Sequence, residues 1–167
     1  MPLRRLIVLP GLVLLAVAAF SPAAALAAAH GTDLPLKGTS TGSLTASFAT
    51  GAATSSFTGH LSHLGAITGG YVETLTATVP TTFTYTGTDA LVAANGDELF
   101  STFSGSGIFT SATTTQSTQV NTITGGTGRF ADASGTFTIT ISSVIVSIGA
   151  TSETIDNADT YNGQISY

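Results

Sequence analysis

The chain has no cysteine and no tryptophan, and only four of its 167 residues are lysine or arginine. Without cysteine there is no disulfide framework, no thiolate metal site and no N-terminal cysteine to carry a lipid. With so few cations nothing can neutralise a run of phosphates, which argues against nucleic acid as a partner. Anionic membrane surfaces are disfavoured for the same reason. Charged residues of both signs make up only 8% of the chain. Such a low charge could accompany disorder, but Val, Ile, Phe, Tyr and Thr are abundant, and disordered segments are poor in them. Also missing, beyond residue 29, are a Pro- or Ser-rich linker and any window with a 3.6-residue apolar period.

The N-terminus reads as a secretory signal. Arg4 and Arg5 form a positive start, and Leu6 to Phe20 is an apolar run of about 15 residues, short of the ~20 that span a bilayer as a helix. Ala25-Leu26-Ala27 and Ala27-Ala28-Ala29 then offer small-x-small cleavage sites. The expected division is a signal peptide over 1–29 and one domain over 30–167, secreted or exported to the cell envelope, with no membrane attachment after cleavage. Losing Arg4 and Arg5 leaves Lys37 and Arg129 against nine carboxylates, a net charge of about −7. Cleavage after Ala29 would make His30 an N-terminal amine–imidazole pair able to hold Cu(II); cleavage after Ala27 would not. No other metal or cofactor is expected. His60 and His63 are three apart, which on a strand sends them to opposite faces.

Alternation with period two runs through the rest. Tyr71, Glu73, Leu75, Ala77 and Val79 oppose Val72, Thr74, Thr76 and Thr78. Phe83, Tyr85, Asp89 and Leu91 oppose a row of threonines. Phe137, Ile139 and Ile141 oppose another, and Tyr161, Ile165 and Tyr167 oppose Asn162, Gln164 and Ser166. Eight strands are expected, at about 36–48, 54–64, 67–79, 82–94, 98–110, 114–124, 135–148 and 159–167. Asn95-Gly96 between two alternating runs signals a hairpin, because a type I′ turn needs positive φ at both central residues. The pattern predicts a meander of hairpins. Closing it into a barrel removes edges that long Thr-rich strands would otherwise expose.

Period two also places polar groups on apolar faces. His63 follows Phe57 and Leu61, Glu73 lies between Tyr71 and Leu75, Asp89 between Tyr85 and Leu91, and Asp97 beside Leu99 and Phe103. Facing a lumen, such carboxyls would be desolvated and their pKa raised toward the range of acid–base work. Glu73 and Asp89 are therefore the candidate catalytic groups. His63, Tyr71, Glu73, Tyr85, Asp89 and Arg129 are the candidate ligand contacts. The plainer alternative puts these groups at the rims as turn caps, and Asp97, directly after Asn95-Gly96, suits a rim best. Arg129 either meets an anion at the barrel mouth or ties a loop to Asp132 or a backbone carbonyl. Gly38-Thr39-Ser40-Thr41-Gly42 matches G-x-S-x-G, yet no acid lies between Ser40 and either following histidine, so a serine hydrolase is not expected. Gly126-Thr127-Gly128 has no following helix and no lysine, so it is no phosphate cradle.

The run Ile123 to Phe137, I-T-G-G-T-G-R-F-A-D-A-S-G-T-F, resembles a signature of the dirigent proteins, whose wider relatives are the allene oxide cyclase barrels. His63-Leu64-Gly65, Ala94-Asn95-Gly96-Asp97 and Gly163-Gln164-Ile165-Ser166-Tyr167 extend the likeness to small exported bacterial proteins of that kind. The resemblance implies an all-β, eight-stranded antiparallel β-barrel, often trimeric, holding an apolar ligand whose cyclisation or coupling is guided by lumen acids and tyrosines. Ser134 stands where many dirigent proteins carry arginine, and no catalytic acid of either family maps onto a position here. The first expectation is thus an exported barrel binding a small apolar molecule. The second is a cyclase or isomerase with Glu73 or Asp89 as acid/base and Tyr71 or Tyr85 orienting the substrate. The third is a structural or surface-interaction protein with a packed lumen. An empty space in the lumen separates the first two from the third. An outer-membrane barrel is disfavoured, because Thr faces are too polar for a lipid-facing band.

Overall fold

The computed structural model describes residues 32–167. The expected signal peptide and His30 lie outside the described residues. Eight strands follow one another: β1 Leu34–Ser47, β2 Ala52–Leu61, β3 Gly65–Val79, β4 Thr82–Val92, β5 Glu98–Phe109, β6 Thr114–Gly126, β7 Ser134–Ile148 and β8 Ser152–Ser166. One 3₁₀ turn, Gly128–Phe130, precedes β7. Each strand pairs antiparallel with the next, and β8 returns to β1 over the whole of its length, from Leu34 opposite Ile165 to Ser47 opposite Ser152. The sheet is a closed eight-stranded barrel. Alternation dictates this, since only a closed sheet buries one face of every strand and leaves no edge unpaired.

The two ends of the barrel differ. Thr32, Tyr167 and the β2–β3, β4–β5 and β6–β7 connections lie at one end, which is sealed. There Leu36, Leu61, Leu64, Leu91, Leu99 and Ile165 are buried around Phe130, whose ring is fully enclosed and meets Tyr167 edge-on at 4.9 Å. The glycine-rich run makes this plug possible. Gly128 takes φ 53°, and a Cβ there would collide with the Asp97 carboxylate. Only glycine permits both the left-handed backbone and that close approach.

The β1–β2, β3–β4, β5–β6 and β7–β8 turns form the other end, which is open. None of them carries a charged residue. Large apolar side chains stand exposed around its rim, among them Phe48, Leu75, Val79, Ile108, Phe109 and Ile148. Lys37, His60, His63, Asp97, Glu98, Arg129 and Asp132 all sit toward the sealed end.

Three expectations need correction. β8 begins at Ser152, not near 159. Its first half (Ser-Glu-Thr-Ile-Asp-Asn-Ala) faces the lumen with polar residues and so lacks the apolar alternation that marks a strand. The Asn95-Gly96 hairpin is present, but only Gly96 takes positive φ, at 88°, while Gly96 N–H donates to the Ala93 carbonyl and Ala93 N–H to that of Asp97. This is the three-residue connection with a left-handed glycine rather than the two-residue type I′ turn. Finally, β2 stops at Leu61, and His63 is an exposed turn residue at φ 67°. The turn bends there so that Leu64 can enter the sealed core, and His63 no longer shares a face with Phe57 and Leu61.

Candidate functional site

Inside the barrel the lumen is built in three layers. The apolar plug at the sealed end is the lowest. Above it lies a belt of buried polar groups. Asp89 of β4 accepts from Ser101 Oγ at 2.5 Å and from Asn121 Nδ2 at 2.7 Å, and Asn121 Oδ1 accepts from Gln119 Nε2 at 3.0 Å. Across the lumen, Ser40 Oγ donates to Asp159 Oδ2 at 2.7 Å and lies 3.1 Å from the Tyr161 hydroxyl. Ser40 has one proton to give, so Tyr161 is the donor in the second contact. The Ser40 of the apparent G-x-S-x-G is therefore a belt residue in the middle of β1.

Above the belt the lumen opens into a cavity of about 280 Å³. One wall is aromatic. Phe57, Tyr71, Phe103, Tyr85, Phe83 and Phe109 form a chain of neighbouring rings from mid-barrel to the rim, with centroids 5.4–6.3 Å apart. Glycines on the paired strands make room for them: the Tyr85 ring lies over Gly105 and the Phe103 ring over Gly87, where a Cβ would clash. The other wall is more polar, with Thr115 and Ser117 of β6, Ser143 of β7, and Glu153 and Asn157 of β8. Tyr85 donates to Ser117 Oγ at 3.1 Å, and Asn157 Nδ2 donates to the Tyr71 hydroxyl at 2.8 Å.

Four of the expected site residues come together as the sequence suggests. Tyr71, Glu73 and Tyr85 line the cavity, and Asp89 lies one layer deeper in the belt. Burial pushes the Glu73 carboxyl up to about 7, with no hydrogen bond opposing it. Burial also raises Asp89, to about 6, against the opposing bonds from Ser101 and Asn121. Tyr85 is pushed up to about 12 by burial, and Tyr71 is raised further still, first by burial and then by the nearby Glu73 charge. Both phenols are neutral donors at physiological pH. Glu73, by contrast, changes charge near neutrality and could give a proton to a bound molecule or take one from it.

His63 and Arg129 are not part of this site. Arg129 crosses the sealed end, where its Nη2 donates to the His63 carbonyl at 2.6 Å. Its Nε lies 4.0 Å from Asp97, and its guanidinium covers the rings of Phe130 and Tyr167. It ties loops together, with Asp97 rather than Asp132 as its acidic partner. Asp97 is a rim residue held below its ordinary range by the Arg129 backbone N–H and by Asn95. Sequence reasoning missed Ser40, Ser101, Gln119, Asn121, Asn157 and Asp159. Stepping by two from Ile123 and from Tyr161, both buried, reaches Asn121 and Gln119 on β6 and Asp159 and Asn157 on β8. Among the described residues, no three His, Asp or Glu side chains converge as metal ligands.

No family model, no curated protein and no solved structure matches this chain.

Proposed function

We propose that the protein is an exported barrel that binds a small, largely apolar molecule in the cavity at its open end. The observation that carries this reading is the cavity itself: the lumen is filled at one end and empty at the other. The aromatic ladder lines the space and the apolar rim surrounds its mouth. A dry 150 Å³ cavity accommodates benzene, so about 280 Å³ suits roughly two rings. The likeness of the glycine-rich run to barrels that hold apolar ligands points the same way. A lumen packed throughout, as a purely structural protein would have, does not fit this arrangement.

Titration with 6-propionyl-2-dimethylaminonaphthalene, an uncharged two-ring dye that brightens in apolar surroundings, tests the reading. A saturable rise in emission is expected, and Ile155→Trp, which fills the cavity from its mouth, should abolish it. No saturable binding would sink the proposal. So would a folded Ile155→Trp variant that binds as well as the parent, because the dye would then lie outside the lumen.

A second reading, a cyclase or isomerase of the allene oxide cyclase or dirigent kind, is favoured by one feature. Glu73 is an acid/base poised near neutrality beside two neutral phenols. It predicts turnover of a cavity-sized substrate that is lost in Glu73→Gln while the dye still binds.

A further inference from the structure

We propose that the cavity selects a protonated amine: an apolar molecule of about two rings whose ammonium group sits beside the Tyr71 hydroxyl, between Asn157 Oδ1 and the Glu73 carboxyl. This inference rests on the binding reading above and names its ligand class.

The argument begins with acceptors that have no partner. Asn157 and Asp159 are 9% and 8% exposed, and in each the Oδ1 atom has no hydrogen-bond partner among the described residues. Asn157 lines the cavity and spends its Nδ2 on Tyr71. Asp159 lies one inward step deeper on the same strand, close enough for its charge to act on both Tyr71 and Tyr85. A buried acceptor left without a donor has lost its water and gained nothing in return, so a ligand that brings donors recovers that loss. Five donors of the lumen are already committed to partners other than these two oxygens or to the opposite oxygen of the same carboxyl, while the cavity hydroxyls of Tyr71 and Ser117 only accept. Ser40 serves Asp159, Ser101 and Asn121 serve Asp89, Tyr85 serves Ser117, and Asn157 serves Tyr71.

Charge gives the second, independent line. Glu73, Asp89, Glu153 and Asp159 all reach the lumen, yet among the described residues no lysine, arginine or histidine faces it. Lys37, His60, His63 and Arg129 are exposed, on the outer surface or at the sealed end. An anionic ligand would meet only like charge, and a hydrocarbon would leave the orphaned oxygens unpaired. A chelated metal ion does not balance the site either, because the carboxyls are spread over several layers and no three converge. An ammonium group supplies both the missing charge and the missing donors. The faces of Tyr71 and Tyr85 add an attraction that hydrocarbon walls lack.

The carboxyls respond accordingly. With no cation in the lumen, burial raises Glu73, Asp159 and Glu153 above their ordinary values. An arriving ammonium favours the ionised form of Glu73, so binding near pH 6 expels a proton that binding at pH 8 does not.

Calorimetric titration with three ligands of matched shape provides the test: naphthalen-2-ylmethanamine, naphthalen-2-ylmethanol and naphthalen-2-ylacetate. At pH 8 the amine should bind about tenfold or more tighter than the alcohol, and the acetate should bind weakest. Between pH 8 and pH 6 the amine should weaken by up to about tenfold while the alcohol stays constant, with proton release visible as a dependence of the heat on the buffer. Glu73→Gln, checked for fold by circular dichroism, should cut the amine's advantage over the alcohol several-fold and remove its pH dependence. An alcohol that matches or exceeds the amine at pH 8 overturns the amine inference and leaves the binding reading standing, as does an amine preference that survives Glu73→Gln with its pH dependence intact. Failure of all three ligands together with the uncharged dye overturns both.

Discussion

Glu73 stands in the cavity wall with burial holding its carboxyl at about 7. A carboxyl whose pKa is higher in the folded than in the unfolded chain contributes stability that is complete below the unfolded value near 4.5. That contribution is lost as pH rises through the folded value, because the native state there holds a proton the unfolded chain has released. Asp89, raised to about 6, acts in the same direction over a lower window. Melting temperature should therefore fall as pH rises from about 4.5 to 7. Glu73→Gln should flatten the upper part of that fall and be the more stable protein at pH 8, by about 2 kcal/mol. Thermal melts across this range decide the matter, and parallel curves for the two proteins would show that Glu73 is not the group responsible. This residue was legible in the sequence because Tyr71 and Leu75 flank it at period two. Asp159 and Asn121 were not. On the inward face β6 carries threonine, serine and amides, and the first half of β8 carries two carboxyls and an amide around Ile155, so both faces look like ones turned to water. His63 misled for the opposite reason: a turn begins two residues before the alternation ends.

Among the elements, the segment between β6 and β7 does the most to shape the molecule. Thr127 N–H donates to the Glu98 carbonyl and Thr127 Oγ1 accepts from Glu98 N–H, so the segment is pinned across the sealed end before it delivers Phe130. Phe130→Ala should cost about 3–5 kcal/mol in urea unfolding, as expected where a fully enclosed ring leaves a void. Arg129→Ala, which removes a partly exposed guanidinium, should cost no more than about 1 kcal/mol. Equal losses would show that the guanidinium, not the ring, is the fastener. Seven of the eight strands were readable to within a few residues, because a Thr-rich outer face and an apolar inner face differ enough to reveal register. The start of β8 was hidden by its polar lumen residues, the same residues that give the cavity its acceptors. Where polar groups turn inward, the hydrophobic signal of a strand fades.

For the molecule as a whole, seven of the eight seams are hairpins between consecutive strands, and only β1 with β8 joins distant parts of the chain. The ends of that seam lie together, as the Asp33 N–H donating to Ser166 Oγ at 3.0 Å shows. Joining Thr32 to Tyr167 through a short Gly-Ser linker and cutting the Gly149–Thr151 turn should give a barrel with the same circular dichroism and the same urea m-value. An unfolded product would mean that β7 and β8 must meet as a hairpin for the barrel to close. In the permuted chain β1 and β8 would become a hairpin, and β7 with β8 the long-range seam. The barrel is thus a cyclic order of eight strands with no intrinsic first member. The entropic cost of closing the circle belongs to whichever pair the chain happens to leave until last.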